Sequence, residues 1–238
     1  MIFAVDDERG SDSPFVERMW RATSEHGGPF LSIAMSHWEM VVTKLSGRTT
    51  VTVRGPETKA TPLQCPAGGE WLGIRFRLGT IMPDLPPRAL VDAATDLPET
   101  GRRAFWLRGS PWEVPDYDNA ETFVNRLVRD GLLVRVPVVD AVLHGELNER
   151  SLRTAQRHFV RTTGLTHGAV RRIERARYAT TLLQQRVPIL DVVHEVGYFD
   201  QPHLTRSLKH FIGQTPAQIM TGKKAEQLSL LYKTVPLH

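Results

Sequence analysis

The chain has a single cysteine, Cys65, among 238 residues. No internal disulfide can form, and a reducing compartment, the cytoplasm, is the natural expectation. No apolar run approaches the roughly 18 residues that a spanning helix needs, so no membrane partner is expected. The N-terminus, MIFAVDDERG, is acidic and lacks a basic segment followed by an apolar core, so a secretory signal is not expected. Metal-ligand spacing is also missing. His37-Trp38-Glu39 is a lone H-x-E with no second cluster downstream, and His26 is isolated beside a glycine turn. His194-Glu195-Val196-Gly197-Tyr198 opens like the zinc-peptidase H-E-x-x-H, but Tyr198 stands where the second histidine must be. Cys65 has no histidine neighbour in sequence to lower its pKa. The expectation is no metal, no cofactor and no enzyme.

Charge is distributed unevenly. The net +4 divides into −4 over residues 1–147 and +8 over residues 148–224, with a neutral tail. A basic segment beside an acidic one fits a nucleic-acid-binding module joined to one with another task. The acidic part is rich in short β-like runs at 15–20, 30–35, 40–45, 49–54 and 70–78. In the last, Leu72, Ile74, Phe76 and Leu78 recur every second residue with Arg75 and Arg77 opposite, which predicts a strand. Gly47, Gly55-Pro56, Gly68-Gly69 and Pro86-Pro87 punctuate these runs as turns. A small antiparallel β domain over residues 1–115 follows. Most of its tryptophans, Trp20, Trp38, Trp71, Trp106 and Trp112, are expected in the core, with one or two available to line an apolar effector pocket.

From the turn-rich Ser110-Pro111-Trp112-Glu113-Val114-Pro115-Asp116 onward, the period changes to 3.6. One helix is predicted over 119–129, with Phe123, Leu127 and Val128 inward and Gly131 as its stop, and another over 138–144. Ser151 is placed to cap a third, in which Leu152, Ala155, Phe159 and Val160 face the core. Thr166 caps a long helix to about Gln185 with the seam Ala169, Ile173, Ala176, Thr180 and Leu183. Ile189, Val192, Val193 and Val196 then form one apolar face, Gly197 ends it, and Asp200 with Pro202 opens a new helix. There Leu204, Leu208, Phe211 and Ile212 point inward and leave a polar, basic face. Two short helices joined by a glycine turn make a helix-turn-helix pattern.

The stretch GYFDQPHLTRSLKHFIGQTPAQI resembles the C-terminal signature of the AraC/XylS family of bacterial transcription regulators, close to G-[YF]-x-D-Q-x-[HY]-L-x-R-x-F-x-x-x-x-G-x-T-P. Leu208 replaces the Phe common in that family. SLRTAQRHFVRTTGL is similar to the family's first recognition helix, although Glu146-Leu147-Asn148-Glu149-Arg150 lengthens the turn before it. The resemblance implies an α+β chain: a cupin-like N-terminal β domain, then an all-α domain over 116–222 with two helix-turn-helix units joined by a long helix, and a tail at 223–238. It implies that Arg153, Gln156 and Arg157 in the first unit, and Gln201, Pro202, Thr205 and Arg206 in the second, meet DNA, with Lys209 on a phosphate. Arg and Gln side chains can pair with guanine and adenine edges, and the Thr205 methyl can pack on thymine. Double-stranded DNA is the expected partner. RNA polymerase, a small-molecule effector and a second copy of the chain are left open. Two other readings stand beside it, a cupin-type metalloenzyme fused to a DNA-binding module and a sequence-indifferent architectural DNA binder. The mixed Gln, Thr and Arg faces argue against the latter.

Overall fold

A computed structural model describes residues 4–101, 103–146, 149–222 and 227–228, with backbone alone at 149–152 and 227. The expected tail at 223–238 falls almost wholly outside these residues, as do Leu147 and Asn148 of the turn and the side chains of Ser151 and Leu152.

Alternation drives the first half. Strands β1 (Ala4–Gly10), β2 (Val16–Ser24), β3 (Gly28–Ser32), β4 (Glu39–Leu45), β5 (Arg48–Arg54), β6 (Thr61–Cys65) and β7 (Gly69–Phe76) are followed by the short β8 (Thr80–Ile81), β9 (Ala94–Asp96), β10 (Ala104–Leu107) and β11 (Ser110–Glu113). Six of them pair antiparallel in the order β1-β2-β7-β4-β5-β9. Register places Met19 against Ile74, Ile74 against Met40, and Met40 against Val53. All four are fully buried, so one row of large apolar side chains crosses four strands on one face. β4 turns into β5 through Ser46-Gly47, both at positive φ, the two-residue hairpin that matches strand twist.

The other face is covered too. Trp20 lies across β7 so closely that a Cβ on Gly73 would meet its ring at 2.0 Å. Only glycine leaves room there. β3 and β6 pair antiparallel as a separate layer in front of this face. That layer corrects the simple alternation expected for 70–78: Arg75, opposite the apolar row, is buried at 5 % exposure instead of reaching water.

Next come α1 (Ala120–Arg129), β12 (Val134–Arg135), α2 (Pro137–Leu143), α3 (Glu149–Thr163), α4 (His167–Gln184), α5 (Ile189–Glu195), α6 (Gln201–Phe211), α7 (Pro216–Thr221) and the short β13 (Gln227–Leu228), which pairs parallel with β3. The sequence grouped α1 with the later helices. Its apolar face, Phe123, Val124 and Leu127, instead joins the sheet's core with Ile74 and Phe76, and Trp112 meets Phe123 edge-on. The turn-rich segment 110–116, where the period changes, begins with β11, which pairs with β10. No helix among the described residues is long and apolar enough to cross a membrane.

Candidate nucleic-acid interface

Two apolar clusters organise the helices from α2 onward. One gathers Val139 and Val142 of α2, Ala155 and Phe159 of α3, and Val170 and Ile173 of α4. The other gathers Ala176 and Leu183 of α4, Val192 and Val193 of α5, Leu204 and Leu208 of α6, and Ile219 of α7. The 18-residue α4 runs through both. Thr166 caps it by accepting from the Ala169 N–H at 3.1 Å, as its position in sequence predicted.

On α3, Ala155 and Phe159 are buried while Arg153, Gln156 and Arg157 are exposed. Two details differ from the sequence reading. The helix starts at Glu149, two residues before Ser151, because Glu149 and Arg150 are both good helix formers. Val160, expected in the core, is 38 % exposed, since the inward line runs through Ala155, Phe159 and the buried Thr162 and Thr163.

On α6, the Asp200 carboxylate accepts from the His203 N–H at 2.7 Å and caps the helix. Pro202 sits in the first turn, where no intrahelical partner for an N–H is missed. Gly197, at φ +72, ends α5, and its successor Tyr198 is buried. The Tyr198 hydroxyl is 2.9 Å from Ser207 Oγ, and Arg175 lies over its ring at 4.5 Å. Arg175 is therefore half-buried against the turn, whereas Arg171 and Arg172 of the same helix are exposed. Burial pushes the Tyr198 hydroxyl's pKa up, so it stays neutral. Leu204 and Leu208 are fully buried, and Gln201, Pro202, Arg206 and Lys209 are exposed with Thr205 half-buried. Among the described residues Arg153, Arg157, Arg206 and Lys209 make no ion pair. Thr215 and Gln218 open α7 with a reciprocal capping box.

Residues 148–222 match a family model described as a helix-turn-helix domain. Residues 148–222 are an AraC-type helix-turn-helix domain. The chain is also similar to the HTH-type transcriptional regulator RipA of Corynebacterium glutamicum, 33 % identical over 78 residues. That match spans 33 % of this chain and about a quarter, 24 %, of the relative. No solved structure gives a significant match.

The AraC-type domain is stitched to the sheet by residues 33–36, part of the 33–38 link between β3 and β4. The Ala34 N–H donates to the Phe211 carbonyl at the end of α6 at 2.8 Å, and its carbonyl accepts from Arg177 Nη1 of α4 at 3.0 Å. Ile33 packs in the cluster of α5 and α6, and Ala34 in that of α2 and α3. Ser36 Oγ donates to Glu174 of α4. His37 lies 3.3 Å from Glu17 and 3.9 Å from Glu174. Burial pushes the Glu17 carboxyl up, but His37, Arg75, Arg177 and Arg77 together outweigh it and hold the pKa below the ordinary value. His37 and Glu39, adjacent in the H-x-E, face different surroundings: Glu39 is buried beside Arg54 and Arg75. Among the described residues no group of three or more His, Cys, Asp or Glu side chains is arranged to hold a metal.

Sequence reasoning passed over Arg177. The signal was present: Arg177 lies four residues after Ile173 and beside Ala176, on the buried seam of α4, where an arginine is costly without partners.

Proposed function

We propose that this chain is a sequence-specific DNA-binding transcription regulator, with α3 and α6 as two reading helices and the N-terminal part as the controlling element. The observation that carries the reading is the pair of polar faces. Arg153, Gln156 and Arg157 on α3, and Gln201, Thr205 and Arg206 on α6, project from helices whose opposite sides are buried in clusters sharing one rigid helix. A common spine suits two units that enter successive major grooves about 34 Å, or roughly 10 base pairs, apart. In this reading Lys209 contacts a phosphate and Pro202 packs without reading a base. Control from the N-terminal part is supported by residues 33–36, which hydrogen-bond to both α4 and α6.

The chain has no catalytic step in this proposal, and its partner is double-stranded DNA. Selection from a randomised duplex pool tests it. The expected product is a bipartite site whose two conserved blocks are about 10 base pairs apart. Retention of all sequences alike, with steep salt dependence, would instead identify a sequence-indifferent binder.

A further inference from the structure

Phe199 is the most exposed large apolar side chain among the described residues, at 89 %. It stands between Tyr198 and Asp200, in the turn that joins α5 to α6. Both neighbours are fixed. The Tyr198 ring is buried, with Arg175 over its face at 4.5 Å and His203 edge-on at 5.1 Å, and its hydroxyl is 2.9 Å from Ser207 Oγ. The Asp200 carboxylate accepts from the His203 N–H at 2.7 Å. The backbone of Phe199 is thus held on both sides, and its own N–H donates to His203 Nδ1 at 3.4 Å.

Folding gives this side chain no role. With Asp200 as the N-cap, Phe199 occupies the position before it, from which an apolar residue ordinarily packs on the fourth residue of the helix. That fourth residue is Leu204, which is fully buried in the cluster of α4, α5 and α6 together with Tyr198. Tyr198 fills the inward place and the phenyl ring of Phe199 is left in water. A partner that covers the ring gains the burial that folding left unused.

Its position names the partner. Gln201 and Pro202 follow directly, exposed in the first turn of α6. The first-turn residues of the second helix in a helix-turn-helix meet base edges in the major groove. α6 carries Arg206 and Lys209 and no carboxylate. Of the three carboxylates in α5 and the turn, Asp200 is directed at the helix backbone and Glu195 accepts from the Tyr178 hydroxyl at 2.7 Å. Asp191 lies in the first turn of α5, at the far end of that helix from Phe199. The ring therefore continues the face that α6 offers to duplex DNA. The apolar feature of the major groove is the thymine C5-methyl group, and phenylalanine is among the side chains that pack on it.

We propose that Phe199 is a specificity-determining residue that reads a thymine through its C5-methyl group, in the block of the site met by α6. The inference rests on the proposed sequence-specific reading and adds an apolar contact to the hydrogen-bonding ones. A ring whose backbone is already braced loses little freedom on making it.

The test uses the full chain and a duplex selected from a randomised pool. Each thymidine of the selected site is replaced singly by deoxyuridine, which keeps the base pairing and removes only the methyl group. Affinities are read by fluorescence anisotropy. In the block where Arg206→Ala relaxes discrimination, one replacement should weaken the parent about fourfold, the worth of one buried methyl group. Phe199→Ala should weaken the thymine duplex by about that factor or more, and bind the uracil duplex no worse than the thymine one. Phe199→Leu, still apolar, should keep part of the preference. Both variants should fold with unchanged Tm, since the side chain is exposed. A parent indifferent to every deoxyuridine, a uracil penalty that survives in Phe199→Ala, or equal duplex affinity of the parent and Phe199→Ala overturns the proposal. The last outcome would assign the cover of the ring to a protein partner. A pool that yields no preferred sequence overturns the regulator reading and this inference with it. A preferred site without a Phe199-dependent thymine overturns this inference alone.

Discussion

Replacing Asp200 by Ala isolates the device that starts α6. The carboxylate accepts from the His203 N–H at 2.7 Å at the head of an 11-residue helix. Loss of such a cap typically costs about 1 kcal/mol and up to about 2. A carboxylate at the positive end of a helix adds roughly 0.3–1 kcal/mol, an effect that overlaps the first. The Ala variant should therefore lose about 1–2 kcal/mol in urea unfolding, with Tm lower by roughly 2–8 °C for a chain of this size. Asn keeps an acceptor and loses only the charge, so Asp200→Asn should fall by about half a kcal/mol. Gln201 follows the cap directly, so fraying of the first turn should also weaken duplex binding in the Ala variant, measured by fluorescence anisotropy. An Ala variant as stable as the parent, or an Asn variant as unstable as the Ala one, would refute the reasoning.

Two further outcomes are expected. Arg206→Ala should cost about 1–3 kcal/mol at the cognate duplex and relax discrimination at one base pair, while Lys209→Ala should weaken all duplexes alike and lower the salt slope by about one. Competition anisotropy with cognate and scrambled duplexes separates the two. In neither case should stability move beyond about 0.5 kcal/mol, because both side chains are exposed. Glu17 has a folded pKa below its ordinary value near 4.5, so its stabilising contribution is complete above that value and is lost as pH falls through the folded pKa. Acid unfolding of Glu17→Gln should consequently show a shallower loss of stability between about pH 5 and pH 3 than the parent. Superimposable curves would contradict it.

The helices were legible because their signals are local. Thr166 and Asp200 cap, Gly197 stops, and Leu204 and Leu208 repeat at helical spacing, all within a few residues of what they control. Strands at sheet edges were not. β1 contains Asp6, Asp7, Glu8 and Arg9 in seven residues, and β6 contains Pro62. Charge and proline are what an edge strand tolerates, and they erase the apolar alternation that identifies a strand. The fate of Arg75 was illegible for another reason: alternation shows which residues share a face but not whether a second layer covers it. The partner of α1 was equally hidden, since an apolar stripe does not name what it packs on. The exposed faces of α3 and α6 could be placed from sequence because burial of Phe159 and Leu204 fixes the orientation of everything else on those helices.

Residues 33–36 also have a mechanical meaning. They belong to the link 33–38, which leaves β3 in the β3–β6 layer and enters β4 in the large sheet, so its two ends are anchored to opposite layers. Ala34, near its start, is pinned to α4 on one side and to α6 on the other. A change in spacing between the two layers must be absorbed by these six residues, pinned part-way at Ala34. On the proposed reading, the spacing of the two layers and the tilt of the reading helices are then a single degree of freedom.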